Sequence, residues 1–325
     1  MRIFLLVLTA IGLCVAWQCT APPAVEIVSE TETLKLVKDG IWFRMGERDQ
    51  GHCNNVVIDI GDGLLVVDAN FPSGAAALMK DIQQVSKKPV RYVFDTHHHG
   101  DHAYANAVWT RQGATTLAYI GVAEEMKRYE PAGWQAAAKA RPDVAAVGAD
   151  TVEPPMETFD VVPHTLEGAG RKVEFHHFGW AHTRGDGMVF LPDDGILCTG
   201  DAIVNGPFNF TGHSNTGNWP NVVKQAEALQ PSTILPGHGS SGGPEIAAGQ
   251  RQFFEELNAA VEAAFADGKS LEDVVTVEDG AGTETVIELS DEVSNWVAAR
   301  FAEQVRVRYA ELAEGKPHGE IVGGP

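Results

Sequence analysis

The run Val90–Phe94 passes through Asp95 straight into Thr96-His97-His98-His99-Gly100-Asp101-His102, so four of the twelve histidines fall within six positions. Valine and aromatic residues make the run a buried strand that delivers this loop at its carboxyl end. Open α/β architectures place their sites at such ends. In an extended segment residues two apart share a face, so His97 and His99 point together. Gly100 lets the backbone turn sharply, and Asp101 with His102 then addresses a second position close by. Imidazole and carboxylate are the natural ligands of zinc and related divalent ions. The spacing is not the helical His-x-x-x-His of many metalloproteases. A His-rich surface loop is the bland alternative, and the internal position with Gly100 and Asp101 argues against it.

The rest of the chain supplies a frame. Leu34–Val37, Ile41–Phe43, Val56–Ile60 and Leu64–Val67 are apolar runs separated by Asp39-Gly40 and Gly61-Asp62-Gly63, and they read as hairpin-connected strands. Ser73 to Val85 has helical spacing after Pro72, with a serine cap. Tyr119 to Ala149 is Ala-rich and charged, broken by Pro131, Gly133 and Pro142, and reads as a helical insertion beside the core. A second block of strands follows at Val173–Phe178, Met188–Leu191, Ile196–Thr199 and Thr233–Leu235, with a helix near Asn221–Leu229. Two strand-then-helix halves predict an α/β fold of two facing sheets with helices outside. From Glu245 the spacing of Phe253, Leu257 and Val261, and of Val297, Phe301 and Val305, predicts a helical tail, with Ser290-Asp291-Glu292 capping its second helix.

Three more segments end strands beside glycine with a His or Asp: Gly179-Trp180-Ala181-His182, Thr199-Gly200-Asp201 and Pro236-Gly237-His238. Together with the 97–102 loop they offer five imidazoles and two carboxylates, enough for two adjacent metals.

Asp+Glu 44 against Lys+Arg 24 gives a formal net charge of -20, and no basic block is present. That balance disfavours nucleic acid as a partner, since phosphate binding needs clustered cations. Arg2, the apolar run Ile3–Trp17 and small residues near Ala21 read as a signal peptide over residues 1–21. The expectation is an exported, periplasmic or extracellular protein of residues 22–325, with no membrane span in the mature chain and a small molecule as partner. A retained N-terminal membrane anchor is one alternative, and lipidation at Cys19 is another, against which Trp17-Gln18 is a poor lipobox. Cys53 and Cys198 would be the cysteines left, paired or free.

The His97-x-His99-x-Asp101-His102 run, followed in order by His182, Asp201 and His238, resembles the metallo-β-lactamase superfamily over roughly residues 34–245. The resemblance implies an αββα sandwich with metals at one edge, the tail (245–315) being an appendage. It implies His97, His99 and His182 on one metal, Asp101, His102 and His238 on a second, and Asp201 bridging. The Gly-Trp-Ala-His-Thr-Arg-Gly-Asp and Thr-Gly-Asp-Ala-Ile-Val-Asn-Gly-Pro segments look closest to exported hydrolases of poorly defined substrate, some associated with sulfur oxidation or quinoprotein gene clusters. One departure matters. Lactamases with a cysteine ligand carry it where this chain has Asp201, and usually a lysine where it has Val204. Asp201 instead resembles glyoxalase-II-like thioesterases and lactonases.

The implied cofactors are two Zn²⁺, which roughly 3.5–4 Å apart would share a water and lower its pKa towards ~7. The implied reaction is hydrolysis of an ester, thioester, lactone or cyclic amide, weak lactam turnover included, with Asp101 also relaying a proton. The alternative is one Fe²⁺ in a persulfide-dioxygenase-like enzyme, since two His and a carboxylate suit ferrous iron. A scaffold without turnover is a third reading, opposed by the intact ligand set. Phe208, Phe210 and His213, just after Asp201, are candidates to wall a cleft, and Arg184 to anchor an anionic group or pair with Asp186. Glu47 to Asn55 is a candidate flap. His98, His176, His177, His164 and His318 read as structural.

Overall fold

Apolar residues stand on both faces of the short strands. Val56 and Ile58 face one way and Val57 the other, and Leu65 and Val67 oppose Leu64 and Val66. Such strands must be covered on both sides, which one sheet with one helical layer cannot do. The computed structural model describes residues 27–166, 170–297 and 299–322. The signal-peptide expectation for 1–21, with Cys14 and Cys19, lies outside the described residues.

The first sheet runs in sequence order: β1 (Leu34–Lys38), β2 (Ile41–Arg44), β3 (Asn55–Asp59), β4 (Leu64–Val67), β5 (Val90–Asp95), β6 (Thr115–Tyr119) and β7 (Glu157–Phe159). It is antiparallel from β1 to β4 and parallel from β4 to β7. The second contains β8 (His164–Thr165), β9 (Glu174–His176), β10 (Met188–Leu191), β11 (Ile196–Cys198) and β12 (Thr233–Leu235), in the order β12-β11-β10-β9-β8. The helices are α1 (Pro72–Val85), α2 (Gly100–Ala103), α3 (Asn106–Thr110), α4 (Ile120–Ala140), α5 (Pro142–Ala145), α6 (Trp219–Glu227), α7 (Glu245–Ala266), α8 (Leu271–Val274), α9 (Phe301–Glu314) and α10 (His318–Val322). No helix among the described residues is long and apolar enough to cross a membrane.

Three buried layers hold this together. Ile58, Leu65, Phe94 and Leu117 meet Phe175, Val189, Leu191 and Ile196 between the sheets. Val57, Val66 and Val93 pack outward on Leu78, Ile82 and Trp109. Phe190, Leu197 and Ile234 pack outward on Trp219, Val223, Phe253, Phe254, Leu257 and Val305. Helix, sheet, sheet, helix is the αββα order expected.

Several local expectations are corrected. β6 and β7 are not among the expected strands, and β6 ends at Tyr119, where the helical insertion is expected to begin. Pro131 and Gly133 do not break the insertion, because α4 runs through both. Burial of Val122, Met126 and Trp134 outweighs the roughly 3 kcal/mol that an interior proline costs. Ser73 is not the cap of α1: Phe71 holds that position, while the Ser73 N–H and hydroxyl both donate to Asp143 from α5. The tail is not helical throughout, since β13 (Val275–Glu278) and β14 (Ala281–Thr285) form a hairpin turning at Asp279-Gly280, and Asp291–Trp296 is a 3-10 turn. Nor is the tail an appendage. Phe253, Phe254 and Phe301 complete the layer outside the second sheet.

Candidate metal centre

Four strand ends converge at one edge of the sandwich: β5 into 96–102, the loop after β9 into His182, β11 into Asp201, and β12 into His238. Two glycines allow the approach. Gly200 adopts a left-handed φ of 52°, and a Cβ there would strike Thr96; a Cβ on Gly237 would strike the Asp201 carboxylate.

His97 Nε2 lies 3.1 Å from His99 Nδ1, and His182 Nε2 lies 2.9 Å from that same atom. Beside this trio, His238 Nε2 is 3.1 Å from Asp101 Oδ2. His102 Nε2 is 3.5 Å from both Asp101 Oδ2 and Asp201 Oδ1. Asp201 Oδ2 is 3.5 Å from His238 Nε2 and 3.8 Å from His182 Nε2, so its carboxylate sits between the two groups.

The outer nitrogens of four of the five imidazoles are engaged. His102 Nδ1 donates to Asp68 Oδ2 at 2.8 Å, and His182 Nδ1 to the Phe210 carbonyl at 2.9 Å. Thr96 Oγ1, which gives its own proton to Asp68 Oδ1, accepts from His97 Nδ1 at 3.1 Å. His99 presents Nε2 to His213 Nδ1 at 2.9 Å. These partners fix the tautomers that leave lone pairs facing inward, as the outer groups around a metal ligand do. Asp186, accepting the backbone N–H groups of Ala181, His182 and Thr183, holds the His182 loop.

Burial, reinforced by neighbouring imidazoles, holds His97 and His99 well below the usual histidine range, and burial brings His182 to about 4. All three are neutral, the form that binds a cation. Burial opposes protonation of His102 and His238 too, yet Cys53, Asp68, Asp101 and Asp201 around His102, and Asp201 and Asp101 around His238, outweigh it and raise them. Burial pushes Asp201 up, but His238 and His102 hold it well below the usual carboxylate range. Buried negative charge thus collects positive charge here. His102 Nε2 and Asp201 Oδ1 are buried without a hydrogen-bond partner, facing each other. Inward lone pairs, unpartnered buried atoms and two carboxylates fit divalent cations.

A cavity of about 650 Å³ opens over this floor. Its walls include three residues expected there. Phe208 lies over His238 (ring centroids 5.6 Å apart), Phe210 meets His99 edge-on at 5.4 Å, and His213 stacks on Tyr129 at 3.9 Å. Arg184 is not brought there. Its guanidinium reaches Glu125 and Glu320 and lies over Trp180, and Asp186 is taken by backbone N–H groups. The 47–55 segment borders the cavity through Arg48 and is pinned by Asn54, whose amide donates to the carbonyls of Pro236 and Gly239. His98 turns aside, 3.1 Å from His213 and stacked on Tyr129. His177 stacks on Tyr119, His164 on Phe159, and His176 pairs with Glu174, all away from the cavity. Cys53 and Cys198 are free and buried, and burial pushes the Cys53 thiol up to about 12.

Sequence reasoning missed Asp68, Tyr104, Glu130 and Arg300 as neighbours of this site, and covered Arg48 only as part of the 47–55 flap. Asp68 carried a usable signal, an acid directly after an apolar strand, as Asp95 does in β5. Tyr104 donates a short hydrogen bond to Glu130 on the cavity wall, and burial lifts that carboxyl to about 7. Arg300 comes from the tail and carried no signal.

Comparison with known proteins agrees with this fold. Among solved structures, the chain is similar to a metallo-beta-lactamase from Pontibacter korlensis, with 17% identity, TM-score 0.56, and coverage of 68% of this chain and 98% of that one. It is also similar to the metallo-beta-lactamase FIM-1 from Pseudomonas aeruginosa in its mono-zinc form, with 21% identity, TM-score 0.55, and coverage of 71% and 97%. A third is a metallo beta lactamase from Hirschia baltica, with 20% identity, TM-score 0.54, and coverage of 69% and 98%. At such identities the likeness is one of fold. The family model of the Metallo-beta-lactamase superfamily matches residues 48–238, well over half of the 325 residues and every histidine and aspartate of the converging loops. The chain belongs to the metallo-beta-lactamase superfamily.

Proposed function

We propose that this protein is a binuclear zinc hydrolase of a small carbonyl compound: an ester, thioester, lactone or cyclic amide, with lactam turnover weak at most. What carries the reading is the floor of the cavity, where seven side chains from four loops turn donor atoms toward one another and two of those atoms have no partner. His97, His99 and His182 would hold one ion, Asp101, His102 and His238 the other, with Asp201 between them. Such ions would supply Lewis-acid polarisation of a carbonyl and a hydroxide near neutral pH.

The chain's own residues supply the rest. Asp101 lines the cavity 3.1 Å from His238, placed to accept a proton and relay it outward. Phe208, Phe210 and Pro207 form an apolar wall that excludes water around the reacting carbonyl. Thr96, Asp68 and the Phe210 carbonyl hold the imidazoles so that no reorganisation is needed during turnover. The apolar run at 3–17 supports export to the periplasm or beyond, which fractionation of the expressing cell checks.

The test is a metal count on purified protein together with ester, thioester, lactone and lactam hydrolysis by the wild type, His97→Ala and Asp201→Ala. Two zinc ions per chain, and loss of both metal and activity in each variant, are expected. One iron and negligible zinc would replace this reading with the iron oxygenase, and full activity in either variant would remove the assigned cage.

A further inference from the structure

Of the described arginines, the two at the cavity mouth are the least occupied. Ten other arginines are described, and each meets a carboxylate or a backbone carbonyl. Arg48 and Arg300 both line the cavity. Neither guanidinium has a hydrogen bond or ion pair among the described residues. Each instead lies over a ring of the apolar wall, Arg48 over Phe208 at 4.9 Å and Arg300 over Phe210 at 5.6 Å. An exposed, unpaired arginine is ordinary by itself. Two of them reaching one cavity from segments 250 residues apart, in a chain of net charge -20 with 44 acidic residues, are not.

Stacking on a ring face orients a guanidinium while leaving the N–H donors at its edge free, so the fork is preset and unfilled. The groups that face the mouth from the floor are Asp101 and Asp201, which the cations would engage, and Glu130, which is tied to Tyr104. No carboxylate of the wall is therefore left to serve the two arginines. Their natural complement is an oxyanion brought by a ligand, which a guanidinium holds through charge-assisted, often bidentate, hydrogen bonds. A local pair of cations also offsets the repulsion that the rest of this acidic molecule exerts on an approaching anion.

We propose that the substrate carries a negatively charged oxyanion substituent remote from its scissile carbonyl, and that Arg48 and Arg300 clamp this group at the mouth while the carbonyl reaches the floor. The inference rests on the hydrolase reading and narrows it to anionic carbonyl compounds. It also explains how a tail outside the matched family region bears on specificity, since Arg300 opens α9.

Two arms test it on the metal-loaded protein. In the first, binding of naphthalene-2-sulfonate and of the neutral methyl naphthyl sulfone is measured by calorimetry. About tenfold tighter binding of the sulfonate is expected, falling to near parity in the Arg48→Met, Arg300→Met double variant. Arg48→Lys should retain part of the preference, because charge survives and the fork does not. Arg91→Met, distant and paired with Asp62, should leave the preference intact. In the second arm, kcat/KM is compared for a thioester bearing a carboxylate and for its methyl ester counterpart, and the charged-over-neutral ratio should fall about tenfold in the double variant. Equal affinity for sulfonate and sulfone in the wild type, or a preference that survives in the double variant, overturns the clamp. Arginine-dependent sulfonate binding without hydrolysis of any panel member would instead uphold the clamp and overturn the hydrolase reading.

Discussion

At the floor of the cavity His97, His102 and His182 are fully buried and held by Thr96, Asp68 and the Phe210 carbonyl, whereas at its mouth Arg48 and Arg300 are exposed and their guanidinium groups rest on rings without a hydrogen bond among the described residues. The floor stands on strand ends, the mouth on a loop between β2 and β3 and on the start of α9. Rigid, outer-supported donors suit chemistry common to many substrates. Loosely held donors at the rim suit selection among them, and they can be exchanged without disturbing the cage. The tail couples the two regions. Gln304 donates to the Asn209 carbonyl, Trp296 to the Val204 carbonyl, and Glu311 accepts from Thr216, so the loop carrying Phe208 and Phe210 is held from α9 and the turn before it.

The contrast can be broken at several points. The largest effect is expected at the floor. His182→Ala should lower activity by about three orders of magnitude or more and release metal, since removing an inward donor cannot be repaired by a rigid neighbourhood. Zinc analysis beside steady-state rates checks this, and a variant that keeps both would show that His182 is only a packing residue. Next comes the coupling element. Glu311→Ala leaves Arg308 and the Thr216 N–H and hydroxyl without their buried acceptor, which should cost about 3 kcal/mol in denaturant unfolding. A loss under 1 kcal/mol would mean that the tail does not hold the mouth.

Smaller is the effect of Asp68→Asn. Asp68 has φ 67°, a left-handed conformation that asparagine also tolerates, so the backbone should survive. The carboxylate that receives His102 Nδ1 would be lost, and zinc affinity should fall about 10–100-fold. Unchanged affinity in a chelator competition would deny Asp68 that role. The smallest effect is at Glu130, on the wall between the two regions. Burial raises its carboxyl from 4.5 to about 7, so the folded state keeps a proton that the unfolded chain releases above pH 4.5. Stability from this group is present below that pH and is lost as pH rises towards 7. Glu130→Gln should flatten that part of the melting-temperature profile. A wild-type curve that rises over the same interval would reverse the sign of the argument.

The loops that end β5, β11 and β12 were legible because they combine an apolar run, a glycine and a His or Asp within a few residues, and local patterns of that kind survive without tertiary information. The same holds for the alternating faces of β3 and β4, which required two covered sheets. Asp68 obeyed the same local rule and was findable. Other features depended on partners far away in the chain. Pro131 inside α4, Ser73 bonded to Asp143 and the Asp279-Gly280 hairpin each follow from packing that overrides a local preference. Arg184 shows the converse: a position two residues from His182 suggested a role in the cleft, and Glu125 with Glu320 drew it elsewhere.

The sequence by itself determined which residues are chemically able to hold cations, and it placed them after strands, because ligand chemistry belongs to side-chain type and strand ends are marked by short-range patterns. Only the tertiary structure decided what surrounds them: which acid steadies His102, which rings line the cavity, and which arginines stay free. Those outcomes depend on contacts between segments up to 250 residues apart, and charge or apolarity in a linear string does not say which partner a side chain will meet.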